Sequence, residues 1–334
     1  MNIIVPMAGA GKRMRPHTLT TAKPLIPVAG KPIVQRLVED LAVMCNDKID
    51  NIAFVIGDFG AAVEKQLLDI AQSLGAKGHI FYQDEPLGTA HAILCAKEVL
   101  TDHVIVAFAD TLFYADFKIN PADEGVIYVQ QVADPSAFGV VKLDAEGIIT
   151  DFIEKPKEFV SDLAIIGIYY FKDGLNLKNE LQYLLDHDIK EKGEYQLTNA
   201  LENMKQKGLK YRAGQVKEWL DCGNKDATVF TNQRVLSLIA NQLSVPASAK
   251  ITNSTIIQPC FIDENVSLDG AVVGPYVSIG KNSSIKQAVI SNSIIQQNTQ
   301  LEAVVVNNSM LGSFVNYSGK ADDVSIGDYT TIKK

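Results

Sequence analysis

The first 110 residues contain short apolar runs that alternate with segments of helical periodicity. The runs lie at 3–7, 52–56, 79–83 and 104–109. Strands that alternate with helices are typical of a mostly parallel sheet with helices on both faces. The pattern therefore predicts a Rossmann-like α/β fold for the N-terminal part of the chain.

The same reasoning predicts the elements that follow. A helix begins at Pro32 and carries one apolar face, formed by Ile33, Leu37, Leu41 and Met44. Further strands that extend the sheet are predicted at 126–132, 139–143, 148–154 and 163–171. Helices are predicted at 174–187, 195–207 and 224–241.

The pattern changes at residue 245, after which no helical periodicity is found. Apolar residues recur there at every fifth or sixth position, namely Ile251, Ile256, Ile262, Leu268, Val273, Ile279, Ile285, Ile290, Ile295, Leu301, Val306 and Leu311. This period suits a parallel β-helix with three strands per coil and about four coils. A β-sandwich of short strands is the alternative. We expect two domains, a catalytic domain at 1–240 and a β-helix at 245–334.

Composition narrows the classes of partner. The net charge of −8 argues against a general affinity for nucleic acid or acidic lipid. No run approaches the roughly 20 apolar residues that a membrane-spanning helix needs, and the first residues lack the layout of a signal peptide. The four cysteines form no CxxC pair, which favours free thiols. We expect a cytoplasmic protein without a membrane or nucleic-acid partner.

A glycine-rich loop follows the first apolar run. It has the pattern GxGxR and comprises Ala8, Gly9, Ala10, Gly11 and Arg13. Glycines let backbone N–H groups approach a phosphate chain, and a fixed cation neutralises its charge. The loop is interpreted as a cradle for a nucleoside triphosphate, and a plain tight turn is the alternative. Ligands of such sheets bind at the carboxyl ends of the strands, where this loop, Gln83 and Asp110 would lie.

Seven segments together resemble the sugar-phosphate nucleotidyltransferases, in the same order along the chain. They are the opening loops and the segments 104–110, 138–141, 154–156, 163–171, 194–198 and 219–223. The most similar subgroup is the long-form glucose-1-phosphate thymidylyltransferases. The tail from 245 is similar to the left-handed parallel β-helix that many of these enzymes carry.

The resemblance implies an Mg²⁺-dependent reaction in which a sugar 1-phosphate attacks the α-phosphorus of a triphosphate and expels pyrophosphate. Asp110 and Asp221 would hold the metal, because Mg²⁺ prefers oxygen ligands. An Asp at a strand end can also be a plain turn residue. Arg13 and Lys23 would hold the pyrophosphate, and Lys155 completes the implied catalytic set.

Base recognition falls to the region around Gln83 and Gly88. A glutamine amide can both donate to and accept from a pyrimidine edge, and a glycine leaves room for the base. The implied nucleotide-binding residues are Pro86 and Thr89 with Gln83, Gly88, Asp110 and the loop residues named above. Thr89 stands where thymidylyl members often have Leu and uridylyl members tend to have Thr, so UTP stays open as a substrate.

The sugar phosphate would meet a second group of residues, namely Gly139, Glu154, Lys155, Gly167, Tyr169 and Glu194. Carboxylates accept hydrogen bonds from sugar hydroxyls, and Lys155 can pair with the attacking phosphate. The first choice of substrates is dTTP with glucose 1-phosphate. UTP with glucose or N-acetylglucosamine 1-phosphate comes next, and GTP with mannose 1-phosphate third.

Two hypotheses from other functional classes are consistent with the sequence. One is a non-catalytic subunit that senses nucleotide sugars, against which the two aspartates argue. The other is acyl transfer by the β-helix, which related bifunctional enzymes perform with a catalytic histidine. The five histidines all precede residue 245, so the tail is expected to serve the assembly of a homo-oligomer.

Overall fold

The computed structural model describes residues 1–45, 48–116, 118–320 and 325–331. The chain divides into two compact units. The first comprises Met1–Ile26 and Lys31–Thr228, and the second comprises Pro27–Gly30 and Val229–Lys334. The predicted domain boundaries at 240 and 245 stay predictions.

Within the described residues, the first unit is built on a nine-stranded sheet and contains one separate two-stranded pair. The strands up to residue 221 are β1 Asn2–Pro6, β2 Pro27–Val28, β3 Lys31–Pro32, β4 Asn51–Ile56, β5 Lys77–Tyr82, β6 Val104–Ala107, β7 Thr111–Tyr114, β8 Gly125–Gln131, β9 Gly139–Leu143, β10 Ile149–Glu154, β11 Leu163–Phe171, β12 Tyr211–Gln215 and β13 Glu218–Asp221. In the large sheet, β6, β1, β4 and β5 are adjacent and parallel. Their continuous apolar runs are typical of strands that are buried on both faces.

The helices occur where the periodicity predicts them, and short ones appear in addition. They are α1 Ile33–Met44, α2 Ala61–Ser73, α3 Thr89–Cys95, α4 Gly174–Asp186, α5 Leu197–Gln206 and α6 Lys225–Leu238. In α1 the predicted apolar face is buried, and Leu37 and Leu41 are fully covered. Within the described residues, none of these helices has the length and apolarity that a membrane crossing requires.

The half of the sheet beyond β6 is largely antiparallel, a feature that the sequence pattern did not predict. Strand β11 pairs antiparallel with β6, β8 and β9. Strands β8 to β11 follow one another without a helix between them. Parallel neighbours need a long crossover, whereas antiparallel neighbours do not, so this order of elements leads to antiparallel pairing.

The tail of the second unit is a β-helix, as predicted. Its strands are β14 Lys250–Thr252, β15 Thr255–Ile256, β16 Cys260–Ile262, β17 Ser267–Asp269, β18 Val272–Val273, β19 Val277–Ile279, β20 Ser284–Lys286, β21 Val289–Ser291, β22 Ser293–Ile295, β23 Gln300–Glu302, β24 Val305–Asn307, β25 Met310–Leu311 and β26 Asn316–Ser318. Every third strand joins the same parallel sheet, which gives three sheets of five, four and four strands. This arrangement is that of the predicted left-handed β-helix and excludes the β-sandwich.

The aliphatic residues of the repeat stack in three columns along the β-helix. One column contains Ile251, Leu268, Ile285 and Leu301, which are aligned across β14, β17, β20 and β23. The members from Leu268 to Leu301 are at most 1% exposed. Burial of these columns supplies the hydrophobic stabilisation that single three-residue strands lack.

Asparagines turn the chain at one corner of successive coils. Asn265, Asn282 and Asn298 have φ values of 57°, 59° and 57°, a region that asparagine tolerates better than most residues. The Asn265 side-chain amide donates to Asn282 Oδ1 at 3.1 Å, and that of Asn282 donates to Asn298 Oδ1 at 3.2 Å. The polar residues between the apolar positions therefore form the corners of the coils.

Asn232 of α6 holds a buried polar junction in the second unit. It is fully buried, and its Oδ1 accepts hydrogen bonds from the backbone N–H of Ala29 at 2.8 Å and the hydroxyl of Ser278 at 2.7 Å. Its amide nitrogen donates to Tyr276 O at 3.4 Å. The side chain of Asn232 therefore forms hydrogen bonds both to the loop 27–30 and to a coil of the β-helix.

We predict that Asn232→Ala destabilises the protein. The substitution leaves the N–H of Ala29 and the hydroxyl of Ser278 without their acceptor, and a buried unsatisfied group costs about 1 to 3 kcal/mol. The free energy of unfolding from denaturant titration measures the effect. Gln233→Ala on the same helix is the matched control. Equal stability of the two variants would contradict the assigned role.

Candidate active site

A cavity of about 420 Å³ opens at the carboxyl ends of β1, β5 and β6. It is lined by Pro6, Met7, Ala8, Gly9, Gly11, Lys12, Arg13, Lys23, Pro24, Gln83, Pro86, Gly88, Thr89, Ala92, Phe108, Ala109, Asp110, Glu194 and Gly223. Most of the residues predicted to bind the phosphates and the base therefore line one cavity, and Glu194 lines it as well. Other predicted residues do not line it, namely Ala10, Gly139, Glu154, Lys155, Gly167, Tyr169 and Asp221.

Gly9 and Gly11 of the opening loop differ in how strictly the fold requires a glycine at each position. A Cβ on Gly9 would have no neighbour within 4 Å, so the fold itself does not require a glycine there. Gly11 has φ of 57°, and a Cβ there would lie 3.0 Å from Lys23 Cβ and from Thr18 Cγ2. Its carbonyl accepts hydrogen bonds from Thr18 Oγ1 and the N–H of Met14, both at 2.9 Å. Gly11 shapes the loop, whereas Gly9 leaves space in the cavity.

The two predicted metal ligands are brought together by a short strand pair. Strand β13 runs antiparallel to β7, with Asp221 opposite Thr111, and the N–H of Cys222 donates to Asp110 O at 2.9 Å. Burial, followed by the charge of Asp110, raises the pKa of Asp221. Two acidic side chains therefore share one partly buried position.

Cations and a backbone donor offset this concentration of negative charge. Lys23 is 9% exposed, and its Nζ donates to Asp110 Oδ2 at 2.8 Å. The N–H of Gly223 donates to Asp221 Oδ1 at 3.0 Å. Lys23, the Gly223 N–H and Arg13 all act to lower the pKa of Asp221, but less than burial and Asp110 raise it.

The carboxylates of Asp110 and Asp221 fit a hard cation such as Mg²⁺, which takes oxygen ligands and keeps several sites for water and substrate phosphates. Within the described part of the chain, no cluster of three or more His, Cys, Asp or Glu side chains could hold a metal ion. Asp110 lines the cavity, whereas Asp221 does not.

Gln83 and Gly88 form the wall predicted to meet the base. Gln83 Nε2 donates to Gly88 O at 3.1 Å and lies 3.2 Å from His91 Nδ1. Gly88 has φ of 115°, and a Cβ there would lie 2.5 Å from Tyr195 O. Only glycine fits this close approach of the segment before α3 to the segment before α5.

Glu194 lines the cavity, whereas the other predicted sugar-phosphate residues form a separate group. Gly139 of β9 lies opposite Glu154 of β10, and Lys155 Nζ is 3.4 Å from Glu154 Oε1. Tyr169 is only 6% exposed and belongs to the hydrophobic core of the sheet. Burial, and to a lesser degree Glu154, raises its pKa. Gly167 lies where the register of β11 against β8 shifts.

Aromatic packing connects this group to the two aspartates. The N–H of Lys155 donates to Phe138 O at 3.1 Å. The Phe138 and Trp219 rings pack edge to face, with 4.8 Å between their centroids. Trp219 precedes Asp221 by two residues in β13. The sugar-phosphate group and the acidic pair therefore share one packed framework.

Sequence reasoning missed several residues that line the cavity. They are Pro6, Met7, Pro24, Ala92, Phe108, Ala109 and Gly223. Their positions could have indicated this, because each residue lies in or near one of the sequence segments predicted to contribute to the site. Phe108 and Ala109, for example, end the apolar run before Asp110, where a strand's last residues reach the binding edge of a parallel sheet.

Comparisons with known proteins agree with this geometry. A family model for nucleotidyl transferases matches residues 2–237. A glucose-1-phosphate thymidylyltransferase of Streptomyces antibioticus is 26% identical, with 100% of this chain and 99% of the relative aligned. The bifunctional protein GlmU of Methanocaldococcus jannaschii is 29% identical over 95% of this chain and 79% of the relative.

A solved structure resembles about two thirds of the chain. It is a crystal structure of a candidate glucose-1-phosphate thymidylyltransferase from Bacillus anthracis in complex with sucrose. Its TM-score is 0.58 at 26% identity, and the match covers 69% of this chain and 93% of the other. The matched share of this chain is close to the size of its first unit.

We predict that Gly88→Ala is strongly destabilising. The added Cβ would meet Tyr195 O at 2.5 Å, and this backbone conformation alone is strained for an alanine, so we expect a loss of about 3 kcal/mol or more. Gly75→Ala is the control, because Gly75 also has positive φ but no neighbour within 4 Å of an added Cβ. It should lose only about 1 to 2 kcal/mol. Denaturant titration that gave equal losses would rule out the predicted clash.

Proposed function

The chain belongs to the nucleotidyl transferase family, and we propose that it transfers the nucleotidyl group of dTTP to glucose 1-phosphate with release of pyrophosphate. At the coarser level it is an enzyme that transfers a nucleotidyl group to a sugar 1-phosphate. The observation that carries the proposal is the position of Asp110 and Lys23 on the same cavity as the glycine loop. Asp221, next to Asp110, supplies the second carboxylate.

The choice of dTTP and glucose 1-phosphate rests on similarity. Thymidylyltransferases of two Streptomyces species align with almost the whole chain. The second candidate is UTP with N-acetylglucosamine 1-phosphate. Its support is Thr89 on the cavity wall, together with the similarity to GlmU proteins. The tail lacks the histidine that acyl transfer would need, so the proposal gives the β-helix a role in assembly.

In the proposed reaction the protein positions charges and performs little covalent chemistry. Asp110 and Asp221 hold Mg²⁺, which supplies positive charge where the triphosphate reacts. Arg13 and Lys23 neutralise the departing pyrophosphate, and the backbone around Gly9 donates hydrogen bonds to it.

The second group of residues orients the attacking substrate. Lys155 pairs with the sugar phosphate, and Glu154 and Glu194 accept hydrogen bonds from the sugar hydroxyls. Tyr169 is buried in the core, so the proposal gives it no hydrogen bond to the sugar. These contacts place the phosphate oxygen in line with the α-phosphorus, and such placement accounts for a large share of catalysis.

A panel of substrates tests the proposed function. Pyrophosphate release is measured with dTTP, UTP, GTP and ATP, each with glucose, N-acetylglucosamine and mannose 1-phosphates, in Mg²⁺ and in excess chelator. We expect the highest kcat/KM for dTTP with glucose 1-phosphate and no release in chelator. Absence of Mg²⁺-dependent release from every pair would refute the proposal.

We predict that Asp110→Asn and Asp221→Asn each lower kcat by more than about a hundredfold, because each removes an anionic metal ligand. Both variants should remain folded, since neither changes the core volume. Asp116→Asn, at an exposed position after β7, is the matched control and should keep wild-type turnover. Wild-type kcat in both ligand variants would show that these carboxylates do not hold a catalytic metal.

Gly9→Ala and Gly11→Ala should separate a loss of binding from a loss of fold. An alanine at position 9 fits the structure without contact, so we expect an unchanged thermal midpoint and a KM for the triphosphate raised about tenfold, because the methyl group occupies phosphate space. Gly11→Ala should lower the thermal midpoint, since its φ is positive. The idea fails if Gly9→Ala is destabilised, or if it binds the triphosphate normally.

A further inference from the structure

The hydroxyl of Thr89 connects the first turns of two helices. Its Oγ1 accepts a hydrogen bond from the N–H of Leu197 at 2.9 Å and donates one to Gln196 Oε1 at 3.2 Å. Thr89 is the first residue of α3 and lines the cavity, and Leu197 is the first residue of α5. Both the donor and the acceptor capacity of this hydroxyl are therefore used between the two helices.

Gln196 continues the connection to the cavity. Its Nε2 donates to Glu194 Oε2 at 3.0 Å, and Glu194 lines the cavity on the wall formed by this segment. The bonds form a single directed series, from the hydroxyl of Thr89 to the amide of Gln196 and from that amide to the carboxylate of Glu194. This series supplies one oxygen of the exposed Glu194 carboxylate with a hydrogen-bond donor.

The other end of the connection is the wall predicted to meet the base. Gln83 Nε2 donates to the carbonyl of Gly88, the residue before Thr89. Two backbone bonds also join the segments on either side of the connection. The N–H of Tyr195 donates to Leu87 O at 2.8 Å, and the N–H of Ala90 donates to Tyr195 O at 2.9 Å. The segments 87–90 and 194–197 are therefore held as one wall.

We propose that Thr89 is a positioning residue that acts through Gln196 on Glu194 and couples the base end of the cavity to its sugar end. This inference rests on the proposed function, in which Glu194 accepts hydrogen bonds from the sugar. Loss of the series leaves Glu194 in place but free to choose among rotamers, and reordering it on substrate binding costs free energy. The cost therefore falls on the sugar 1-phosphate more than on the triphosphate.

Four variants test the proposal by steady-state kinetics and thermal unfolding. Thr89→Val removes the hydroxyl at constant shape, and Thr89→Ser restores it. Gln196→Leu breaks the series but keeps the bond between Leu197 and Thr89. Thr198→Val is the matched control, because the Thr198 hydroxyl is buried and makes no hydrogen bond.

We expect Thr89→Val and Gln196→Leu to raise the KM for the sugar 1-phosphate about threefold to tenfold, the effect of losing one hydrogen bond. The KM for the triphosphate should stay within about twofold. Thr89→Ser should bring the KM for the sugar 1-phosphate back towards the wild-type value, and Thr198→Val, which lies outside the cavity lining, should behave as the wild type.

Several outcomes would overturn the inference. One is an unchanged KM for the sugar 1-phosphate in Gln196→Leu, which decides the matter even if Thr89→Val does not fold. Another is an equal rise of both KM values, which would indicate a structural role only. A wild-type protein without any turnover would instead refute the proposed function, so the two failures are distinguishable.

Discussion

The antiparallel pairing of β7 with β13 is the constraint on which the site depends. It places Asp221 opposite Thr111 and fixes the backbone of Cys222 to that of Asp110. Each aspartate alone is an ordinary residue at a strand end. The pairing turns them into a concentration of negative charge, which is costly without a cation. The charge of Asp110 accordingly adds to burial in raising the pKa of Asp221.

Lys23 offsets part of this negative charge. A lysine is rarely buried unless it is paired, and Lys23 meets that condition through its 2.8 Å contact with Asp110. Its backbone path is shaped by Gly11, whose lack of a Cβ lets the loop pass against the Lys23 side chain. The glycine loop thus serves two purposes, since Gly11 positions a cation and Gly9 leaves room for a ligand.

Much of the fold could be predicted because burial leaves a periodic record in the sequence. The aliphatic columns of the β-helix and the runs of β1, β4 and β6 are examples. The pairing of β7 with β13 could not be predicted, because these strands have four residues each and little periodicity. The resemblance supplied Asp221, but the partner strand that positions it became visible only in the structure.

The candidate site follows the same division. The position of Gln83 and Asp110 at a strand end was sufficient to place them on one edge. No sequence pattern indicates that Tyr169 lies in the core or that the hydroxyl of Thr89 is used between two helices. Both depend on tertiary contacts between residues far apart in the chain, which no local pattern records.

In the proposed reaction the nucleotidyl group passes to the sugar phosphate, and the triphosphate is not hydrolysed by water. Phosphorus NMR of the protein with Mg²⁺, dTTP and glucose 1-phosphate follows every phosphorus atom at once. We expect pyrophosphate and a nucleoside diphosphate sugar to appear in equal amounts as both substrates disappear. Consumption of dTTP with glucose 1-phosphate left unchanged would refute nucleotidyl transfer.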